Sequence, residues 1–248
     1  MEARVAGRAF EDASGCADPY RAATVEVERI CRFAPEAVGV AQTPPFSQNW
    51  TNTTLITVAN DWSGVPGIIG YRGDGLGATG SDPQTILTEG TAVVNVLANQ
   101  ANPNTNNSGA VAEFDTLANP TVAFQGSGTA RAPNLVITLD TTSLSDINVA
   151  YNLRDVDGAA DNAIQAVALQ YRVGATGSFT NVPAGFVADA TTGPSLATLV
   201  TPVSVTLPAA VNNQALVQVR IITADAAGSD EWVGVDDITV IRSMSHGE

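Results

Sequence analysis

Residues Ile147 to Leu153 alternate without a fault, with Ile147, Val149, Tyr151 and Leu153 on one side of an extended chain and Asn148, Ala150 and Asn152 on the other. Successive side chains of a strand point to opposite faces, so this period specifies a strand with one buried face, and a slip of one residue would reverse it. The same signal returns at Val167, Leu169, Tyr171 and Val173. It returns once more in the closing stretch Ser229 to Arg242, where Val233 and Val235 alternate but Ile238 and Val240 continue one residue out of phase. An extra residue at Asp236-Asp237 restores the register, which predicts a bulged final strand.

Further strands are expected at Leu55–Val58, Val65–Tyr71, Thr91–Leu97, Ala110–Phe114, Thr121–Gln125, Asn134–Asp140 and Ala163–Val173. Others are Ser178–Val182, which returns from a hairpin turn at Gly174–Gly177, Val203–Leu207 and Leu216–Thr223. That makes about ten or eleven strands divided by Gly, Pro and Asn signals, with no internal helix and no fixed-period repeat. The reading is all-β: a two-sheet antiparallel β-sandwich, jelly-roll-like. At 248 residues, one such domain with one core accommodates most of the chain.

Residues 1–44 differ from the rest. They hold five of the 11 Arg, both cysteines and seven of the 25 acids, and Pro44-Pro45 closes them off. We expect an N-terminal extension or linker here, with a short helix at Ala22–Phe33, then a sandwich over 45–243 and a tail over 244–248. Cys16 and Cys31 either pair or stay free.

The formal charge of -14, with every basic residue an Arg, repels phosphate backbones and anionic membrane surfaces. No apolar run is long enough to span a bilayer. Gly75, Gly77 and Gly80 spell G-x-G-x-x-G, but Asp82-Pro83 follows where a dinucleotide site needs a helix N-terminus. A Ser or Cys nucleophile needs a base within reach, and the one histidine, His246, lies in the tail. A glycosidase carboxylate pair is open on acid count alone.

The stretches Val167–Gly174 with Ser178–Gly185, Ala188–Thr191 and Gly228–Ile238 resemble a β-sandwich accessory module of large secreted bacterial proteins. Some of those proteins carry extracellular nuclease or phosphodiesterase domains of the endonuclease/exonuclease/phosphatase class. The likeness runs from about Phe46 to Ser243 and stops short of any catalytic domain, whose water-activating histidines this chain lacks. It implies a secreted or surface-displayed module beside neighbouring domains.

Two site types are expected within the sandwich. Asp155, Asp157 and Asp161 in the loop after the alternating strand form one Ca²⁺ candidate, and Asp230, Glu231, Asp236 and Asp237 form a second, because Ca²⁺ takes six to eight oxygen ligands in irregular geometry. Trp50, Trp62, Tyr71 and Phe186, all near loops or glycines, are candidates for stacking on sugar rings. The expected function is therefore non-catalytic binding or adhesion, directed at a glycan or cell-surface polymer. A structural spacer, an accessory domain of a secreted nuclease and a cryptic hydrolase are the alternatives.

Overall fold

The computed structural model describes residues 39–106, 108–158, 163–193 and 196–242. The helix expected at Ala22–Phe33, both cysteines, Asp161 and His246 lie outside the described residues. Among those described there are twelve strands, four short 3₁₀ turns and no α-helix. The strands are β1 (Phe46–Gln48), β2 (Ile68–Tyr71), β3 (Leu97–Gln100), β4 (Ala110–Phe114), β5 (Thr121–Gln125) and β6 (Asn134–Leu139), then β7 (Ile147–Asp155), β8 (Ala168–Val173), β9 (Thr180–Asn181), β10 (Val200–Thr206), β11 (Val217–Ile222) and β12 (Val233–Arg242).

They form two sheets. One runs β10-β7-β12-β5-β4-β3 with β1 also on β12, and the other runs β2-β6-β11-β8-β9. All pairings between named strands are antiparallel except β3 with β4. Upstream of Pro44-Pro45, Gln42 already bridges to Leu139.

The inner faces of both sheets interdigitate in one apolar core that includes Ile147, Val149, Tyr151, Leu153, Val219, Ile221, Val233 and Val240. Each fully buried side chain of this kind contributes about 1.5–3 kcal/mol. The bulge falls where the phase slip demands it, between Asp236 and Thr239 in the β7–β12 register, with Asp237 at φ 49°. It also changes β12's other neighbour: Val233–Val235 pair with β5, whereas Ile238–Val240 pair with β1. Trp50 stands at that change and donates its indole N–H to the Val235 carbonyl at 2.7 Å.

The strand expected at Leu55–Val58 is not there. These residues form bends and irregular loop, with Ile56 buried in the core and Leu55 partly buried against it. Period-2 alternation holds cleanly in β7 but is lost in β6 and β11, which are buried on both faces. The reason is a covering layer. Segment 73–92 lies over the outer face of the five-stranded sheet, where Leu76 and Ile86 meet Ala168, Ile222 and Ala224. On the other sheet's outer face, Phe114, Val156 and Trp232 form a second satellite cluster, with Trp232 edge-on to Phe114 at 5.2 Å.

Beside Leu76 and Ile86, the covered face is polar. Arg220 donates to Gln170 Oε1 and to the Ile86 and Thr88 carbonyls, and Gln170 Nε2 donates to the Pro83 and Ile86 carbonyls. Arg172 pairs with Glu89 and donates to Gln218, and both guanidinium groups lie over the Phe179 ring, at 4.4 Å for Arg172 and 3.9 Å for Arg220. Gly75, Gly77 and Gly80 all adopt positive φ within this covering segment and lead into only the three-residue 3₁₀ turn Pro83–Thr85, consistent with a turn and not a nucleotide loop.

Candidate functional site

The functional groups gather where β7 ends and β12 begins. Inward alternation along β7 passes from Ile147 through Leu153 to Asp155, so the strand's own period drives a carboxylate to the core face. Asp155 pairs with Val233, the Val156 N–H bonds the Trp232 carbonyl, and Asp157 Oδ2 accepts from the Trp232 N–H at 3.0 Å. This pairing draws Glu231 onto the same spot. Asp155, Asp157 and Glu231 are 1%, 3% and 1% exposed, and one carboxylate oxygen from each lies within 4.8 Å of the others. The structure thus takes two residues from one sequence-predicted cluster and one from the other. Three buried carboxylates with oxygens this close form a candidate cation site. Their hard oxygens suit Ca²⁺ or Mg²⁺ better than softer metals.

The remaining members of the second cluster go elsewhere. Asp236, fully buried, is ion-paired with Arg154 at 2.9 Å and accepts from Asn119 Nδ2. Burial pushes its carboxyl above the usual range, against the pull of the Asp237 N–H and of Arg154. Asp237 sits exposed on the bulge and accepts from Asn152. Both are therefore occupied in holding the bulge.

Asp230 belongs to the loop joining β11 to β12. Its Oδ1 accepts from the Ala226 N–H at 2.8 Å and from Gln165 Nε2 at 2.7 Å. Burial raises its pKa above the usual value, those two donors oppose the shift, and neighbouring Asp225 adds to it through its charge and a hydrogen bond. Asp225 is in turn paired with Arg131 and accepts from Thr79. Gly126 has to be glycine here, since a Cβ would collide with Asp230 Oδ1 and the Asp225 backbone.

Two cavities flank this loop. A polar one of about 410 Å³ is lined by Gln125, Gly126, Ser127, Asp225 and Asp230. A more apolar one of about 450 Å³ is lined by Pro83, Ile164, Ala166, Ala224 and Ala226, with Ser81 and Asp82 at its edge. Ile164 is 69% exposed, an apolar side chain left in water beside the opening. A third cavity, of about 550 Å³, lies along β2 between Val40, Trp62, Val65, Pro66 and Ile69.

The aromatic candidates divide just as sharply. Trp50, Trp62 and Tyr71 are 3%, 5% and 4% exposed and belong to the core, so the expectation of exposed sugar platforms at these three is corrected. Trp50 and Trp62 meet edge to face at 6.4 Å, and Trp62 donates to the Asn95 carbonyl while resting on Gly70. Few aromatics are available to this chain, and the sandwich consumes them as filling. Phe186 alone stays half-exposed, packed on the satellite cluster that contains Ala224. Sequence reasoning missed Asp225, Gln165 and Ile164; nothing local marks them, because they meet only through the β8–β11 pairing.

No known family matches the chain, and no curated relative does either. Solved structures with a similar arrangement include a family 61 carbohydrate-binding module in complex with β-1,4-galactotriose, at 12% identity over 51% of this chain and 72% of that one, TM-score 0.32. A family 28 carbohydrate-binding module specific for non-crystalline cellulose matches at 12% identity over 58% and 88%, TM-score 0.41. The K2 adhesin domain of Lys-gingipain matches at 14% identity over 52% and 73%, TM-score 0.33. The likeness is one of strand arrangement and not of sequence. No helix among the described residues is long and apolar enough to cross a membrane.

Proposed function

We propose that this sandwich is a non-catalytic binding module, secreted or displayed at a bacterial surface, whose ligand is a glycan seated across the β11–β12 loop. The observation that carries the reading is the pairing of an apolar shelf at Ile164, Pro83 and Ala224 with a polar cavity at Gln125, Ser127 and Asp230, divided only by residues 224–230. A sugar presents one apolar face and a rim of hydroxyls, and such a shelf beside convergent polar groups matches both. Phe186 adjoins the shelf. The acidic balance of the chain favours neutral polymers over anionic ones. Within the same reading, Asp155, Asp157 and Glu231 hold a structural Ca²⁺ that fixes the start of β12 beneath the loop. The module would serve neighbouring domains of a larger protein, of the kind its resemblance implies.

Glycan-array screening followed by calorimetry tests this. Binding to a neutral polysaccharide should weaken by about tenfold, roughly 1.4 kcal/mol, in Ile164→Asp, which changes an exposed side chain with little effect on folding. If nothing on the array is retained, or if Ile164→Asp binds as well as the parent, the site is wrong and the spacer reading replaces it.

A further inference from the structure

Two Asn-x-Thr triplets follow one another directly after β1, Asn49-Trp50-Thr51 and Asn52-Thr53-Thr54. Both fold the same way. Asn49 Oδ1 accepts from the Thr51 N–H at 3.3 Å and from Thr51 Oγ1 at 2.9 Å, and Asn52 Oδ1 accepts from the Thr54 N–H at 3.2 Å and from Thr54 Oγ1 at 2.7 Å. Both asparagines are exposed, and neither Nδ2 donates a hydrogen bond among the described residues. The buried Trp50, at φ 57° and bonded to the Val235 carbonyl, anchors the first turn and leaves Asn49 and Thr51 on the surface.

An amide nitrogen is a poor nucleophile, because its lone pair is delocalised onto the carbonyl. Two donors aimed at Oδ1 stabilise charge on that oxygen, and so favour the imidate form in which Nδ2 has given up a proton and regained its lone pair. Thr supplies both donors, one from its backbone and one from its hydroxyl.

We infer that Asn49 and Asn52 are acceptor sites for N-linked glycosylation. The co-substrate is a sugar activated at its anomeric carbon as a diphosphate ester, carried by a nucleoside or by a membrane lipid, and the catalyst is a separate transferase. Nδ2 attacks the anomeric carbon, the bond from that carbon to the diphosphate oxygen breaks with its electron pair, and one Nδ2 proton passes to a base on the transferase. The products are a glycosylated asparagine and the diphosphate carrier. Among the described residues β1 has β12 as its one strand partner, so a hydrated sugar at Asn49, one residue past its end, shields an open sheet edge from association. The third triplet, Asn106-Asn107-Ser108, differs: Asn106 is half-buried and its Nδ2 donates to Gln100 Oε1. This modification is separate from glycan binding at the β11–β12 loop and stands if that reading fails.

The test incubates the folded protein with two transferases that require only Asn-x-Ser/Thr, a soluble one with a UDP-sugar and a membrane-bound one with a lipid-linked oligosaccharide, and reads intact mass. A gain in either arm supports the inference and identifies the carrier. After cleavage at arginine the sugar should map to peptide 33–72 and not to 73–131. Asn49→Gln and Asn52→Gln should each leave the other site modified, and the double variant should gain nothing. Thr51→Ala should lower transfer to Asn49 at least tenfold, while Thr51→Ser should keep it. A parent of unchanged mass in both arms, a gain that persists in the double variant, or one that maps to 73–131 overturns the inference.

Discussion

The polar layer over the outer face of the five-stranded sheet buries two guanidinium groups, while the end of β7 buries three carboxylates. In the first region opposite and neutral partners are built in. Gln170, Glu89, Gln218 and the carbonyls of segment 73–92 meet Arg172 and Arg220 in turn, and Phe179 fills the space between. In the second, like charges converge. A network that carries its own complement fixes structure, here by tying a long covering segment onto a sheet. Three carboxylate oxygens within 4.8 Å of one another instead offer the close oxygen set that a hard cation takes, which is why the second region is read as a site and the first is not.

The sharpest way to break the comparison is Arg220→Ala. It should cost about 3–5 kcal/mol in chemical denaturation, about 1–3 for each of the two acceptors, Gln170 Oε1 and the Thr88 carbonyl, that lose this donor. A cost below about 1 kcal/mol would show that the layer is dispensable. Next comes cation addition. Ca²⁺ at a hundredfold excess over its Kd should stabilise the parent by about 2.7 kcal/mol relative to EDTA, and Glu231→Gln should remove that gain. Identical midpoints with and without Ca²⁺ would show that the triad binds no stabilising Ca²⁺ and is a structural cluster.

A third effect, near 1–2 kcal/mol, is expected for Phe179→Leu, which keeps an apolar side chain but loses the ring between two cations. An unchanged midpoint there would show that burial and not the ring's face does the stabilising. The smallest is the pH response. Glu113 and Asp236 both have carboxyls raised above their usual values, chiefly by burial. An acid whose folded pKa exceeds its unfolded one contributes stability that is complete below the unfolded pKa and lost as pH rises through the folded value. In EDTA the protein should therefore gain modest stability as pH falls from neutral toward the ordinary carboxylate range. With Ca²⁺ bound the trend should flatten or reverse, since protons compete for its ligands. A loss of stability over the same interval in EDTA would contradict this assignment.

What the sequence determined by itself was the fold class and its most regular parts. Strand β7 was legible residue by residue, and the bulge at Asp236-Asp237 was legible as a phase slip, because a period of two leaves each residue one of only two faces. β4 and β5 were bounded correctly from turn signals alone. The alternation even carried Asp155 inward, although its meaning was visible only once Glu231 lay beside it. What tertiary structure decided was everything set by contact across the sandwich. It assigned Trp50, Trp62 and Tyr71 to the core, divided one acidic run between a triad, a loop pair and a bulge, and covered two outer faces that local pattern reads as solvent-facing. It also brought Gln165 to Thr223. Such outcomes depend on which strands become neighbours, and residues 58 positions apart in the chain carry no local record of the contact they will make.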